Sequence, residues 1–265
     1  MLVIKIGGAI GTGFEKLAED LLNYKDYILV HGGSHEMNLI SEKLEVPPHF
    51  VTSISGHVSR FTDEATLDVL KMVYSGKVNK TIVETMRRKG INAIGLTGLD
   101  GGLLRGKRKE AIRVIEGGKR KILRGDNTGK VEEVNTELLE LLINSGYIPV
   151  ITIPIEASDI GGGALNADAD RAAAAIASNL RAETLVILSN VPGLLKDPED
   201  NSSLIGQIPK AQIGNYMEYA KGRMKKKVLG ASEACAGGVK RVIIGNANLE
   251  TPLTAALTGA GTVIQ

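Results

Sequence analysis

Leu2-Val3-Ile4-Lys5-Ile6-Gly7-Gly8 and Tyr27-Ile28-Leu29-Val30-His31-Gly32-Gly33-Ser34 have one form: a short β-prone run that ends in paired glycines. Each run is too brief for a buried helix, and each glycine pair leads into a helix-periodic stretch, at 14–23 and at 34–45. Strand, tight turn and helix in that order form the repeating unit of a parallel sheet. Further β-branched runs at 91–96, 147–153, 184–188 and 239–244 alternate with helical patterns at 63–89, 135–145, 168–180 and 223–236. The predicted fold is α/β, a three-layer αβα sandwich around a mainly parallel central sheet.

Two stretches break the alternation. Residues 101–134 hold short β-prone pieces separated by Gly117-Gly118 and Asp126-Asn127, which predicts hairpins projecting from the main sheet. Residues 158–163 end in three consecutive glycines ahead of an Ala-rich helix, which places a domain junction near 160–166. The chain shows no internal repeat and no low-complexity tail.

Composition narrows the class. With 43% hydrophobic and 23% charged residues, the 265-residue chain has the balance of a globular protein, not of a disordered or coiled-coil one. The lone cysteine, Cys235, excludes an internal disulfide and a multi-cysteine zinc site. No apolar run approaches the roughly 18 residues of a membrane span, and the first strand opens without a signal-like leader. A net charge of +2 is too small for a general nucleic-acid binder. These features predict a cytoplasmic protein with neither membrane nor nucleic-acid partners.

The paired glycines point to phosphate. In a parallel sheet both turns lie at the carboxyl ends of strands, where open α/β folds bind ligands. Glycine lets phosphoryl oxygens approach backbone N–H groups, the following helix adds positive potential, and Lys5 supplies a mobile charge. A single Gly-Gly pair reads as an ordinary tight turn; two pairs, one with a lysine in its strand, favour the phosphate reading. Gly101 to Lys107 has P-loop spacing, but Arg108 replaces the magnesium-binding hydroxyl and no long helix follows; no GxGxxG follows the first strand either.

Asn166-Ala167-Asp168-Ala169-Asp170 opens the Ala-rich helix. Acids in a first helical turn are ordinary caps, yet two acids and an amide leaving a glycine turn could also position lysines or magnesium. The run Lys221-Gly222-Arg223-Met224-Lys225-Lys226-Lys227 opposes a helix dipole, which suggests an anionic ligand. Ser189 to Pro198 follows an apolar strand with turn residues that could frame a nucleobase.

Four motifs in order, Lys-x-Gly-Gly at 5–8, His-Gly-Gly at 31–33, Asn-x-x-x-Asp at 166–170 and Gly-x-Met-x-x-Lys at 222–227, make the chain resemble the amino acid kinase family over essentially its whole length. Within the family it is similar to the acetylglutamate kinase branch, which phosphorylates a side-chain carboxylate with ATP and magnesium. The resemblance implies the amino acid kinase fold, with a substrate lobe at 1–165 and a nucleotide lobe at 166–265. It implies that Lys5 and Lys227 contact the transferring phosphoryl group, that Gly7, Gly8, Gly32 and Gly33 donate N–H bonds to it, and that Asp170 orients both lysines. It assigns Arg60 to the substrate's α-carboxylate and Asn166 to its α-nitrogen substituent. Nucleotide contacts fall on Gly7, Gly8, Ser189, Asn190, Gly193, Leu195, Asp197, Met224 and Lys227, with magnesium held by the nucleotide and no protein metal site. Arginine-inhibited hexameric members carry an extra helix before the first strand, so the expectation here is a homodimer.

Charge refines the substrate. Residues 101–130 hold ten basic and three acidic side chains, a net of +7 against −5 for the remainder. Such an island suits an acidic protein partner; nucleic acid is the competing partner, but the segment lacks stacking aromatics. The wording Gly106 to Ile115 is similar to kinases of carrier-bound lysine and arginine biosynthesis, whose substrate is an α-aminoadipyl or glutamyl residue on the acidic carrier protein LysW. Lys107, Arg108, Lys109, Lys119, Arg120 and Lys121 are the expected carrier contacts. Free N-acetylglutamate as substrate, and a non-catalytic nucleotide sensor or carrier-binding scaffold on the same fold, remain open readings.

Overall fold

The two quoted runs are neighbouring strands β1 (Leu2–Ile6) and β2 (Tyr27–His31), paired in parallel from Leu2↔Tyr27 to Ile6↔His31, with helix α1 (Phe14–Asp20) between them. The computed structural model describes residues 1–8, 14–54, 56, 58–117 and 119–265; Gly118 of the expected Gly117-Gly118 turn lies outside them. After β2 come α2 (Ser34–Lys43), β3 (Phe50–Ser53), β4 (Val58–Arg60), α3 (Glu64–Leu70), α4 (Asn79–Arg88) and β5 (Ala93–Gly98). Next are β6 (Leu104–Arg108), β7 (Ile112–Glu116), β8 (Lys119–Leu123), β9 (Gly129–Val134), α5 (Thr136–Asn144), β10 (Ile148–Ala157) and β11 (Ala164–Leu165). The chain ends with α6 (Ala169–Asn179), β12 (Thr184–Ser189), β13 (Gln207–Ile208), α7 (Arg223–Ala236), β14 (Arg241–Asn246), α8 (Pro252–Leu257) and β15 (Thr262–Ile264).

Among the described residues the main sheet runs β13-β15-β14-β12-β1-β2-β10-β6-β9, with β5 and β11 also on β10. Its central pairs are parallel. Alternate residues of these strands enter two cores: Val3, Ile28, Val30 and Ile187 face one helical layer, Ile4, Leu29, Val186 and Leu188 the other. Burial on both faces is why β2 and β12 read as unbroken apolar runs. The helices start where the sequence supplies caps: Asp63, Asn135 and Asp168 side chains accept N–H bonds from the first turns of α3, α5 and α6.

One expectation is met with a local change of helical winding, and another is revised. The pattern at 63–89 is α3, a π-helical stretch Lys71–Val78, and α4 in continuation. Residues 101–134 do not form hairpins on one sheet: β6 and β9 extend the main sheet, whereas β7 and β8 join β3 and β4 in a separate antiparallel sheet of order β4-β3-β7-β8. Gly101 to Lys107 is a 3₁₀ turn running into β6, with no helix after it.

Candidate active site

β1, β2 and β12 end at one edge of the sheet, so Gly7-Gly8, Gly32-Gly33 and Ser189-Asn190 adjoin. The two glycine turns touch. A Cβ on Gly8 would lie 2.3 Å from the Gly33 nitrogen, so no side chain fits there. The Gly8 carbonyl accepts from the His35 N–H at 2.8 Å and the Ser34 hydroxyl at 3.1 Å, which locks one turn onto the start of α2. The Gly7 N–H donates to the Leu188 carbonyl at 3.0 Å and the Gly32 N–H to the Ile6 carbonyl at 3.1 Å. This corrects the expectation that all four glycines offer N–H groups to a ligand: Gly7 and Gly32 close the sheet.

His31 sets the floor beneath these turns. It is fully buried, Nδ1 lies 3.0 Å from the Gly32 carbonyl, and Nε2 lies 3.0 Å from Nδ2 of Asn79, which also donates to the Val150 carbonyl. Burial lowers its pKa to about 4, with the Lys5 and Lys80 charges acting in the same direction. His31 is thus neutral, with Nδ1–H donating to Gly32. The unfolded chain binds this proton near pH 6.5 and the folded one only near 4, so stability is full above the first value and drains as pH falls toward the second. Urea unfolding should show this group's share, about 3 kcal/mol, lost between pH 6.5 and pH 4 in the parent and absent in His31→Gln.

Above the turns stands a charged triad. Lys5 Nζ is 2.6 Å from Asp170 Oδ1, and Lys227 Nζ is 3.2 Å from Asp170 Oδ2. All three residues are buried. Lys5 comes from β1, Asp170 from the first turn of α6, and Lys227 from the first turns of α7. α7 can come so close because Gly230, one helical turn after Lys227, faces the Asp170 backbone; a Cβ there would lie 3.2 Å from the Asp170 carbonyl oxygen. Burial pushes the Asp170 carboxyl up, but the Lys227 and Lys5 ammoniums outweigh it and hold the group well below the usual carboxylate range. Burial, reinforced by Lys5, lowers Lys227. Two cations share one anion, so the cluster carries net positive charge beside the glycine turns. Asp168 is the cap: its Oδ1 accepts from the Asp170 and Arg171 N–H groups, and its Oδ2 lies 3.5 Å from Lys226.

A second cluster surrounds Arg60, at the end of β4. Its guanidinium donates to Asn38 Oδ1 and lies 4.9 Å above the Phe50 ring, while Nη1 is buried without a hydrogen-bond partner among the described residues. A buried, unpartnered cationic donor is costly unless an anion completes it. Asn166 is tied to the same place: its Nδ2 donates at 2.9 Å to the Thr62 hydroxyl, which donates to the Arg60 carbonyl. Tyr74, on the π-helical stretch, was not singled out from sequence. A Cβ on Gly33 would meet its ring at 3.3 Å, and burial raises its phenol to about 12 against the opposing influence of Arg60 and the Gly33 backbone. Its sequence setting, an ordinary apolar helix pattern, carries no signal of this position.

The remaining expected residues divide. Ser189 is buried at the end of β12 with no partner for its hydroxyl among the described residues, and Asn190 is exposed beside it. Gly193 and Leu195 serve the packing of the following loop, Gly193 against Thr262 and Leu195 bridged to Leu204. Asp197 is exposed and caps its own turn, and Met224 is half-buried near the start of α7. The six basic positions do not form one surface. Arg108 donates inward to Asn127 Oδ1 and to the Gly162 carbonyl at 2.9 Å, which corrects its assignment to a partner surface. Lys107 lies near the end of β6, paired with Lys130 of the edge strand β9, Lys109 follows β6, and Lys119, Arg120 and Lys121 lie on β8.

The amino acid kinase family model matches residues 1–246. The chain is 53% identical over 268 residues to a [LysW]-aminoadipate kinase of Deinococcus radiodurans, covering 100% of this chain and 91% of that protein. It is 49% identical to the [LysW]-aminoadipate kinase of Thermus thermophilus, with both chains fully covered. The fold is also that of N-acetylglutamate synthase from Neisseria gonorrhoeae, with a TM-score of 0.77 at 24% identity over 99% of this chain and 58% of that one. Motif order, fold and full-length likeness agree: the chain belongs to the amino acid kinase family.

Proposed function

We propose that this phosphotransferase moves the γ-phosphoryl group of ATP to the side-chain carboxylate of an α-aminoadipyl residue, and of a glutamyl residue one methylene shorter, held on the carrier protein LysW. The product is an acyl phosphate. The observation that carries the reading is the buried Lys5–Asp170–Lys227 triad beside two glycine turns. Its net positive charge suits phosphoryl transfer, in which positioning and charge neutralisation dominate. A carboxylate oxygen forms the new bond to phosphorus while the bond to the bridging oxygen of ADP breaks. The nucleophile is already ionised, so no general base is needed, and neutral His31 is held for structure.

Lys5 and Lys227 neutralise the phosphoryl oxygens, Asp170 sets their spacing, and Gly8 and Gly33 offer N–H groups. Arg60 grips the substrate's carboxyl function through its free Nη1, and Asn166 holds the neighbouring polar group. Ser189, Asn190, Gly193, Leu195, Asp197 and Met224 frame the nucleotide, in a lobe formed by residues 166–265 against a substrate lobe of 1–165. Magnesium would be held through the nucleotide and would supply further neutralisation of phosphate charge; Asp170 already faces two ammoniums and Asp168 Oδ1 caps α6, so neither carboxylate is assigned to the ion. Lys107, Lys109 and Arg120 contribute to the field that draws in an acidic carrier. The names of the Deinococcus and Thermus relatives support the carrier and the aminoadipyl preference.

The test is ATP-Mg turnover with LysW bearing aminoadipate, LysW bearing glutamate, and free N-acetylglutamate, with acyl phosphate trapped as the hydroxamate. The highest kcat/KM is expected for carrier-bound aminoadipate. Preference for N-acetylglutamate would overturn the carrier reading, and ATP binding without turnover on any acceptor would make the protein a sensor. In the same assay Arg60→Ala should raise the acceptor KM roughly 10- to 100-fold, the scale of a charged hydrogen bond, and leave the ATP KM unchanged. A pure kcat defect would move Arg60 among the catalytic groups.

A further inference from the structure

The separate four-stranded sheet buries Val51 and Val114 on one face and leaves most of the other open. Side chains alternate along a strand, and directly paired residues share a face. Pairs Thr52↔Val58, Thr52↔Ile115, Ile115↔Arg120, Arg113↔Ile122 and Phe50↔Arg60 therefore define a single face. The opposite face carries Val51 and Val114, which are 7% and 1% exposed. On the open face Phe50, Val58, Ile115 and Ile122 are 49%, 50%, 44% and 63% exposed, an apolar concentration unusual on a surface that meets only water. Arg113 and Arg120 stand among them, both exposed.

We propose that this face docks the carrier: an acidic protein that lays apolar side chains on Val58, Ile115 and Ile122 and pairs carboxylates with Arg113 and Arg120. The inference rests on the carrier-bound substrate reading and adds the surface. Two observations name the occupant. The segment that builds β7 and β8 is strongly basic, which complements an acidic partner. The face is also continuous with the substrate site: Phe50 is the direct strand partner of Arg60 and stacks under its guanidinium. A carrier seated there brings its attached amino acid to Arg60. Of the six basic residues expected from sequence, only Arg120 lies on this face; Lys119 and Lys121 alternate to the other side of β8, and Lys107, Arg108 and Lys109 lie at the end of β6 in the main sheet.

The test compares Ile115→Glu/Ile122→Glu and Arg113→Glu/Arg120→Glu with Lys119→Glu/Lys121→Glu, each in the full chain. LysW affinity is read by calorimetry, kcat/KM on LysW-aminoadipate by hydroxamate trapping, and folding by ATP affinity and melting temperature. The first two variants should lose LysW affinity and carrier-bound kcat/KM at least tenfold, through KM, with ATP affinity and melting unchanged. The third should lose less than threefold. Hydrogen exchange of β3, β7 and β8 in the parent should slow on adding LysW. Parent-like affinity in both face variants, with LysW-aminoadipate still phosphorylated, overturns the surface and leaves the function standing. A parent that neither binds nor uses LysW overturns the functional reading itself. Concentration-dependent self-association of the parent that Ile115→Glu/Ile122→Glu abolishes would make the face an interface between copies and overturn its assignment to the carrier.

Discussion

Lys5→Ala should lower kcat about 100- to 1,000-fold, the loss measured elsewhere for one preorganised donor at a transition state, while the fold persists. Its ammonium lies 2.6 Å from Asp170 at the end of β1, beside both glycine turns, so its removal takes away charge where charge develops. The fold survives because Asp170 keeps Lys227 at 3.2 Å and is not left as an uncompensated buried carboxylate. Lys227→Ala should behave alike, and the double variant should lose far less than the product of the two, since the lysines act as a unit. Single-turnover kinetics with saturating ATP and acceptor reads the chemical step. Near-parental turnover in either single variant, with melting unchanged, would remove the triad from catalysis.

Asp170→Asn should be more damaging to stability. It leaves two buried ammonium groups facing each other, and breaking a buried ion pair from one side costs about 3 to 5 kcal/mol. kcat should fall as steeply as in the lysine variants, with a smaller change in ATP affinity, because the carboxylate acts by placing lysines. The stability deficit should depend on pH. Burial already lowers Lys227 and Asp170 opposes that shift, so without its anion Lys227 titrates lower still in the folded chain; stability is regained as pH rises toward the unfolded lysine value and lost as pH falls toward the folded one. Urea unfolding at pH 7 and pH 9.5 measures this; a deficit of equal size at both would mean that the lysines find another compensation. A change confined to ATP affinity would assign Asp170 to the nucleotide.

Much of this site was written locally. Lys5 and the glycine pairs sit at strand ends, and the capping role of Asp168 follows from its place before an Ala-rich helix. Asn166 and Lys227 came from motif order and Arg60 from the family resemblance, and the structure shows why their own neighbourhoods are mute. Arg60 is distinctive because Asn38 and Phe50 surround it, and Tyr74 because a π-helical stretch carries it to Gly33. Those partners stand far away along the chain. The basic island is the reverse case: composition saw one patch, whereas strand pairing divides it between two sheets and turns Arg108 inward.

Sequence by itself determined the class of fold, because periods of 2 and 3.6 and glycine punctuation are properties of neighbouring residues. It also placed the glycine turns after β1 and β2 together, since a parallel sheet ends both strands on one side, and that adjacency grounds the proposed phosphoryl site. Tertiary structure alone decided which glycine N–H groups are engaged, which lysines share Asp170, and which face of the second sheet remains open. These depend on register and on contacts between residues as distant as Lys5 and Lys227, where hydrogen bonds and charge act through space, along no local sequence pattern.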